Sequence, residues 1–267
     1  MQNKLLITAV NAALKAGKAI LEVYKNEKIE AKLKADLSPL TLADKNAHTE
    51  IIKILEPTNI PVLSEEGRNI PFDERKNWKY FWMIDPLDGT KEFIKKNGEF
   101  TVNIALICKK QPVLGVVYVP VSCQIYFALK GKGAYRGYIN ADALFTTVDK
   151  NYTRLPVYAN RDKFIIAASH SHINDETKNY IQKLKNENVN VELILRGSSL
   201  KICMVAEGEA DIYPRFGPTM EWDIAAGHVI AIEAGCSFTK VDEISPVIYN
   251  KENLLNPYFI VKAENRK

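Results

Sequence analysis

Lys79-Tyr80-Phe81-Trp82-Met83-Ile84-Asp85-Pro86-Leu87-Asp88-Gly89-Thr90 is the stretch on which the reading of this chain turns. Its first half is an apolar, aromatic run of strand length. Its second half carries two carboxylates three residues apart, next to Pro86 and Gly89, residue types that end strands and make turns. The pattern predicts a strand over 79–84 that delivers the chain into an acidic turn over 85–90, where both carboxylates point the same way. Hard oxygen ligands of this kind suit Mg²⁺. Asp-Pro-x-Asp-Gly is also the signature of an ordinary turn with solvated acids, so the pair acquires meaning from its company.

Upstream, residues 60–63 read as a short strand ending at Ser64-Glu65-Glu66-Gly67, and a helix is predicted over 41–56, stopping before Pro57, with Asp44 in its first turn. Leu6, Val10, Leu14, Gly17, Leu21 and Tyr24 recur at helical spacing and predict an amphipathic first helix. Asn11 and Lys15 interrupt that apolar run too early for a signal peptide. Residues 27–40 read as a short strand and turn. Downstream, period-two runs over 100–107, 113–119 and 124–129, with Gly131 and Gly133 in turns, predict an antiparallel meander. Gly131-Lys132-Gly133 reads as a hairpin turn rather than a phosphate loop.

From residue 164 the pattern alternates. A strand at 164–168, a helix at 174–187, a strand at 190–195, a helix from Ser198 to Glu207, a strand at 211–213 and a helix from Asp223 to Ala234, closed by Gly235, make an α/β series. The change of pattern places a lobe boundary near residue 155: an α+β N-terminal lobe over 1–155 and an α/β C-terminal lobe over 156–267.

The 267 residues are 46% hydrophobic and 25% charged, the balance of a globular protein rather than a disordered or fibrous one. The 36 basic residues are interspersed with 32 acidic ones, which argues against a nucleic-acid polymer as partner. No apolar stretch reaches membrane-spanning length. Cys108, Cys123, Cys203 and Cys236 form no Cys-x-x-Cys, so neither a zinc site nor a disulfide framework is signalled, and a reducing cytoplasm is expected.

Taken singly, the other acids have structural readings. Asp44 could balance the helix dipole or pair with Thr41 in a capping box, Asp223 could be an N-cap, and Glu65-Glu66 could lie in an exposed loop. Together they resemble something known. Four blocks, Asp36-x-Ser38-Pro39-Leu40-Thr41-x-Ala43-Asp44, residues 64–67, residues 82–90, and Glu221-Trp222-Asp223-Ile224-Ala225-Ala226-Gly227-His228, resemble the inositol monophosphatase superfamily of lithium-sensitive, metal-dependent phosphatases, over nearly the whole chain. Residues 91–94, 97–103, 197–201 and 213–218 are similar to the branch of bacterial 3'(2'),5'-bisphosphate nucleotidases of the CysQ type. Inositol monophosphatases typically follow Asp-Gly-Thr with Thr-Asn-Phe instead.

The resemblance implies a layered α-β-α-β-α fold, α/β in class, with the acids between two lobes. It implies that Glu65, Asp85 and the Leu87 carbonyl hold one Mg²⁺, that Asp85, Asp88 and Asp223 hold a second, and it permits a third, looser ion near Glu65. Asp44 and Thr90 would orient and deprotonate the attacking water, and Leu87, Asp88, Gly89 and Thr90 would contact the scissile phosphate. His172, Ser198, Lys201, Arg215 and Asp223 would contact the rest of a nucleotide bisphosphate. Ser198 with Lys201, near a helix start, offers donors and a cation, and Arg215 a bidentate contact. Each also has an ordinary reading, as an N-cap, a surface charge or a structural histidine; His170 is the weaker histidine candidate.

The implied reaction is hydrolysis of 3'-phosphoadenosine 5'-phosphate to AMP in sulfur assimilation. The rivals are an inositol or fructose phosphatase on the same metal core and a noncatalytic nucleotide-binding protein. The expected form is a cytoplasmic monomer or homodimer, with peripheral attachment to the inner membrane left open.

Overall fold

The computed structural model describes residues 2–26, 38–157, 161–170, 174–187 and 189–264. Helices α1 (Gln2–Tyr24) and α2 (Pro39–Leu55) pack on each other and on one face of a seven-stranded sheet. Its strands are β1 (Val62–Ser64), β2 (Tyr80–Asp88), β3 (Thr101–Cys108), β4 (Gln111–Val119), β5 (Gln124–Leu129), β6 (Gly133–Tyr138) and β7 (Thr153–Arg154), in sequence order. Only β1 and β2 run parallel; the rest is the antiparallel meander that period-two patterning predicts. Two short helices, α3 (Phe72–Arg75) and α4 (Thr90–Ile94), flank β2.

The second sheet orders as β11 (Cys236–Lys240), β12 (Phe259–Ala263), β10 (Ile212–Arg215), β8 (Phe164–Ser169) and β9 (Val191–Arg196). Here β8 is parallel to both its neighbours. Helices α6 (Leu200–Glu207) and α7 (Glu221–Glu233) lie between the sheets, and α5 (Asp175–Glu187) covers the far face of the second.

Side-chain alternation along β2 shows how the layers are held. Trp82 and Ile84 point into a core with Leu14, Ile20, Ile51 and Leu55 of α1 and α2. Phe81 and Met83 point into the other core, with Ile202 and Val205 of α6, Ile224 and Val229 of α7, and Tyr213 and Phe259 of the second sheet. A strand buried on both faces must read as a continuous apolar run. Ile181 and Leu184 of α5 close the outer layer on Ile166, Ile212 and Ile260. The succession is therefore α-β-α-β-α, as expected.

Helix α7 is buried from Ile224 to Ala231, as a helix sandwiched between sheets must be. It lies directly on β4, because Gly115 has no side chain to hold it off. A Cβ there would sit 2.4 Å from the Ala226 carbonyl oxygen. That close approach fixes where the N-terminus of α7, and with it Asp223, can be.

Several boundaries differ from the sequence reading. Helix α2 begins at Pro39 rather than Thr41, because the Ser38 hydroxyl accepts the Thr41 N–H (3.2 Å) as N-cap and proline suits the first helical position. Asp44 therefore sits beyond the first turn, and neither the dipole nor the Thr41 capping reading applies. Helix α6 starts at Leu200, not Ser198, and α7 at Glu221, not Asp223. Strands β11 and β12 and the short helices α3 and α4 have no counterpart in the sequence reading. Of the predicted strand and turn at 27–40, residues 27–37 lie outside the described residues. No helix among the described residues is long and apolar enough to cross a membrane.

Candidate active site

The acidic segment is not a turn. Strand β2 continues through Asp88, and its pairing with β3 slips: Asp85 faces Asn103 while Asp88 faces Thr101. Three steps on β2 answer two on β3, which is a β-bulge with one extra residue. Pro86, lacking an N–H, cannot maintain the ladder there. In a regular strand, residues three apart face opposite sides. The bulge reverses the alternation, and Leu87 accordingly joins Trp82 and Ile84 in the helix-covered core rather than Phe81 and Met83. Both aspartates thus face the layer of α7.

Parallel pairing brings β1 alongside, and the Glu65 N–H donates to the Ile84 carbonyl (3.2 Å), setting Glu65 beside Asp85. From the other side, α7 presents Asp223. One of its oxygens accepts the Met220 N–H (2.9 Å), the half of a capping box that holds the helix start. One carboxylate oxygen each from Glu65, Asp85 and Asp223 lie within 4.8 Å of one another.

The electrostatics follow from crowding and burial. Asp85 is only 1% exposed, and loss of hydration, then the charges of Asp88, Glu65, Asp223 and Asp44, push its carboxyl well above the usual range. Burial, with Asp88 beside it, raises Asp223 to about 8. Burial and the Glu66 and Glu65 charges raise Asp44 to about 8, and burial also raises Glu65. Among the described residues no Lys or Arg pairs with any of these acids within 4 Å. A dense set of hard oxygen donors without a countercharge fits a hard divalent cation.

A cavity of about 260 Å³ opens beside the acids, lined by Asp88, Gly89, Thr90, Asp223 and, from the second sheet's side, Ser198, Lys201 and Arg215. Gly89 has φ +100°, and a Cβ there would come within 3.1 Å of Phe100 Cα, so glycine is required where β2 ends. Lys201 is buried, its ammonium donating to the Arg196 and Ser198 carbonyls (3.2 and 2.5 Å), and desolvation lowers it to about 8. Arg215, 9% exposed, donates through Nη2 to the Pro218 carbonyl (3.0 Å), while its buried Nε has no hydrogen-bond partner among the described residues.

The structure thus gathers Glu65, Asp85 and Asp223 in one cluster and Asp88, Gly89, Thr90, Ser198, Lys201, Arg215 and Asp223 around one cavity. Asp44 approaches the cluster from α2, which packs on the helix that Thr90 opens. His172 lies outside the described residues. His170 is turned toward Glu99 (3.4 Å), whose carboxylate also accepts the Gly197 N–H (2.8 Å). Ser198 is not at a helix start but in the left-handed region (φ +50°), its hydroxyl donating to Asp88 Oδ2 (2.6 Å). Asn103 and Ser199 also reach Asp88 (3.3 and 3.1 Å) and were not among the expected site residues. Their signal was a polar side chain in an apolar strand, for Asn103, and a second serine after Gly197.

Residues 1–265 match the inositol monophosphatase family, whose members are metal-dependent. A 3'(2'),5'-bisphosphate nucleotidase CysQ of Salmonella typhimurium is 45% identical over 252 residues, 93% of this chain and 96% of that protein. The crystal structure of CysQ from Bacteroides thetaiotaomicron is 50% identical, covering 99% of this chain and 98% of that one, with a TM-score of 0.93. The extragenic suppressor protein suhB of Bartonella henselae shares the fold at 24% identity, with a TM-score of 0.72 over 98% of this chain and 94% of its own. A match over residues 1–265, with relatives this similar and an acid cluster that could hold a cation, makes the chain a member of the inositol monophosphatase family.

Proposed function

We propose that the chain is a Mg²⁺-dependent, lithium-sensitive 3'(2'),5'-bisphosphate nucleotidase that hydrolyses 3'-phosphoadenosine 5'-phosphate to AMP and phosphate, in sulfur assimilation. The observation that carries this reading is a single cavity with an acidic wall, Asp88 and Asp223, and a cationic wall, Lys201 and Arg215. The acidic wall serves the phosphate that is cleaved. The buried cations serve a second phosphate, and Arg215 Nε, unpaired among the described residues, is a donor in want of an acceptor. An inositol monophosphate would set hydroxyls against those cations.

Glu65, Asp85 and the Leu87 carbonyl would hold one Mg²⁺, and Asp85, Asp88 and Asp223 another, with a third, looser ion near Glu65 as the family resemblance permits. Bound there, Mg²⁺ supplies a more acidic water and neutralises charge on the phosphate oxygens. The residues of the chain do the rest. Asp44, whose carboxyl binds a proton near neutral pH, takes the proton from the attacking water, and the Thr90 hydroxyl orients that water. The backbone from Leu87 to Thr90 cradles the scissile phosphate. Lys201, lowered to about 8, becomes fully cationic when a phosphate arrives.

Phosphate release with Mg²⁺, compared on 3'-phosphoadenosine 5'-phosphate and inositol 1-phosphate, tests the proposal. A kcat/KM preference of about 10- to 100-fold for the nucleotide is expected from one charge-assisted contact, with inhibition by Li⁺. Preference for the inositol ester would make the chain a sugar phosphatase. Release from no ester at all would leave a nucleotide-binding protein.

A further inference from the structure

Asp88 is held by a frame of buried polar groups that the reaction does not itself need. Thr101, Asn103 and Ser199 are 0%, 1% and 3% exposed; Asn103 and Ser199 reach Asp88 Oδ2, and Thr101 contacts Asn103 and Ser198 beside it. The Ser198 hydroxyl, 2.6 Å from Asp88 Oδ2, donates to that oxygen. The Thr101 hydroxyl lies 2.5 Å from Ser198 Oγ and 3.0 Å from Asn103 Oδ1, so its one proton is shared between the two side chains that reach Asp88. Asn103 Nδ2 spends one hydrogen on Asp88 Oδ2 (3.3 Å) and the other on Ser199 Oγ (2.9 Å).

Ser199 has a single proton and two acceptors, the Asp223 carbonyl at 2.6 Å and Asp88 Oδ2 at 3.1 Å, and the shorter contact takes it. One frame therefore joins β2, β3, the loop before α6 and the backbone of α7. Asp88 Oδ1 accepts no hydrogen bond among the described residues.

We propose that Thr101, Asn103 and Ser199 are positioning residues for Asp88: Asn103 joins Ser198 on Oδ2, Thr101 and Ser199 brace those two, Oδ1 is left for the cation shared with Asp223, and the distance between the two ligands is fixed across the interface of the sheets. The inference rests on the reading of Asp88 and Asp223 as cation ligands. Partners that orient a metal ligand typically change affinity by about 10- to 100-fold when removed.

The test is Mn²⁺ binding, followed by electron paramagnetic resonance of the free ion, to the wild type and to Asp88→Asn, Asn103→Leu, Ser199→Ala and Thr101→Val. Asp88→Asn should abolish one class of site. Asn103→Leu and Ser199→Ala should weaken that same class about 10-fold or more and leave the other unchanged, with Thr101→Val acting in the same sense but less. The Mg²⁺ needed for half-maximal phosphate release should rise in parallel, and excess Mg²⁺ should restore kcat.

If Asp88→Asn loses a class of site while the other variants follow the wild-type isotherm, the positioning role is overturned and the functional reading stands. If the variants weaken both classes equally and melt earlier, their role is structural and the inference also falls. If Asp88→Asn binds as the wild type does, the ligand assignment fails and takes the inference with it. Thr101→Val, which changes volume least, carries the test should Asn103→Leu not fold.

Discussion

Glu207 and Asp85 are both carboxylates shut away from water, 3% and 1% exposed, yet the fold treats them oppositely. Glu207, on α6, accepts from Arg136 Nη1 (2.9 Å) and the Tyr126 hydroxyl (3.0 Å), and its carboxyl rises to about 7 through burial despite that support. Asp85 accepts from the Leu87 N–H (3.1 Å), and its charged neighbours are other acids. A structural acid receives its countercharge from within the chain. An acid set among acids must receive it from outside, and this separates a buried ion pair from a site.

Replacing one member on each side should break the contrast. Asp85→Asn removes the acid common to both proposed ion sites, so turnover should fall by at least about 10³-fold, the scale of losing a central electrostatic stabiliser. The metal-free variant should nevertheless melt higher than the wild type, because a repulsive charge is gone. A lower melting point would mean that Asp85 is structural after all. Chelation should silence the wild type to the same degree, with added Mg²⁺ restoring it.

Asp44→Asn should lower kcat by about 10²- to 10⁴-fold, the range for a lost general base, with Mg²⁺ affinity spared. Near-normal turnover at saturating Mg²⁺ would remove its role. Glu207→Gln should do the reverse: kcat within about threefold of the wild type, and stability lower by about 1–3 kcal/mol in denaturant unfolding as a supported buried carboxylate is lost.

The last effect sharpens the comparison through pH. Asp44 and Asp223, both raised to about 8, bind protons more tightly folded than unfolded, so their stabilising contribution is full below about pH 4 and is lost as pH climbs through 8. His228, stacked on Phe238 and lowered to about 3, acts oppositely: it costs stability only as pH falls below about 6.5. Between pH 6.5 and 8 the acids should dominate, and the metal-free protein should lose about 2–3 kcal/mol, on the order of 5–10 °C in Tm. Mg²⁺ should abolish that slope in a melting series. A slope that persists with Mg²⁺ would place its origin elsewhere.

Glu65, Asp85 and Asp88 were visible in the sequence because acids at strand ends, beside Pro and Gly, are chemically conspicuous, whereas only the family resemblance joined Asp44 and Asp223 to them. Their arrangement was not visible. Asp85 and Asp88 read as a turn because spacing does not reveal a register slip between β2 and β3, which depends on tertiary pairing. Asp44 and Asp223 looked like helix-start acids because the true starts, Pro39 and Glu221, are set by Ser38 and by the return of Asp223 to the Met220 N–H.

Pattern gave the antiparallel meander and the alternating α/β series, whereas the layered order came from the family resemblance. Strands β11 and β12 escaped notice because Ser237, Thr239 and Lys240 dilute the apolar signal and the pairing is non-local. Nothing in the spacing of Thr101, Asn103 and Ser199 ties them together, and only their hydrogen bonds in the fold join them in one frame around Asp88.

The bulge between Asp85 and Asp88 makes the site a matter of counting. Exchanging Leu87 for another apolar residue preserves the count, whereas adding one residue to β3 between Thr101 and Asn103 lets the two strands pair step for step and turns Asp88 away from Asp85. Transplanting Asp-Pro-Leu-Asp onto the end of another strand would therefore carry the acids but not their geometry. What must be transplanted with it is the neighbouring strand, one residue shorter over the same span.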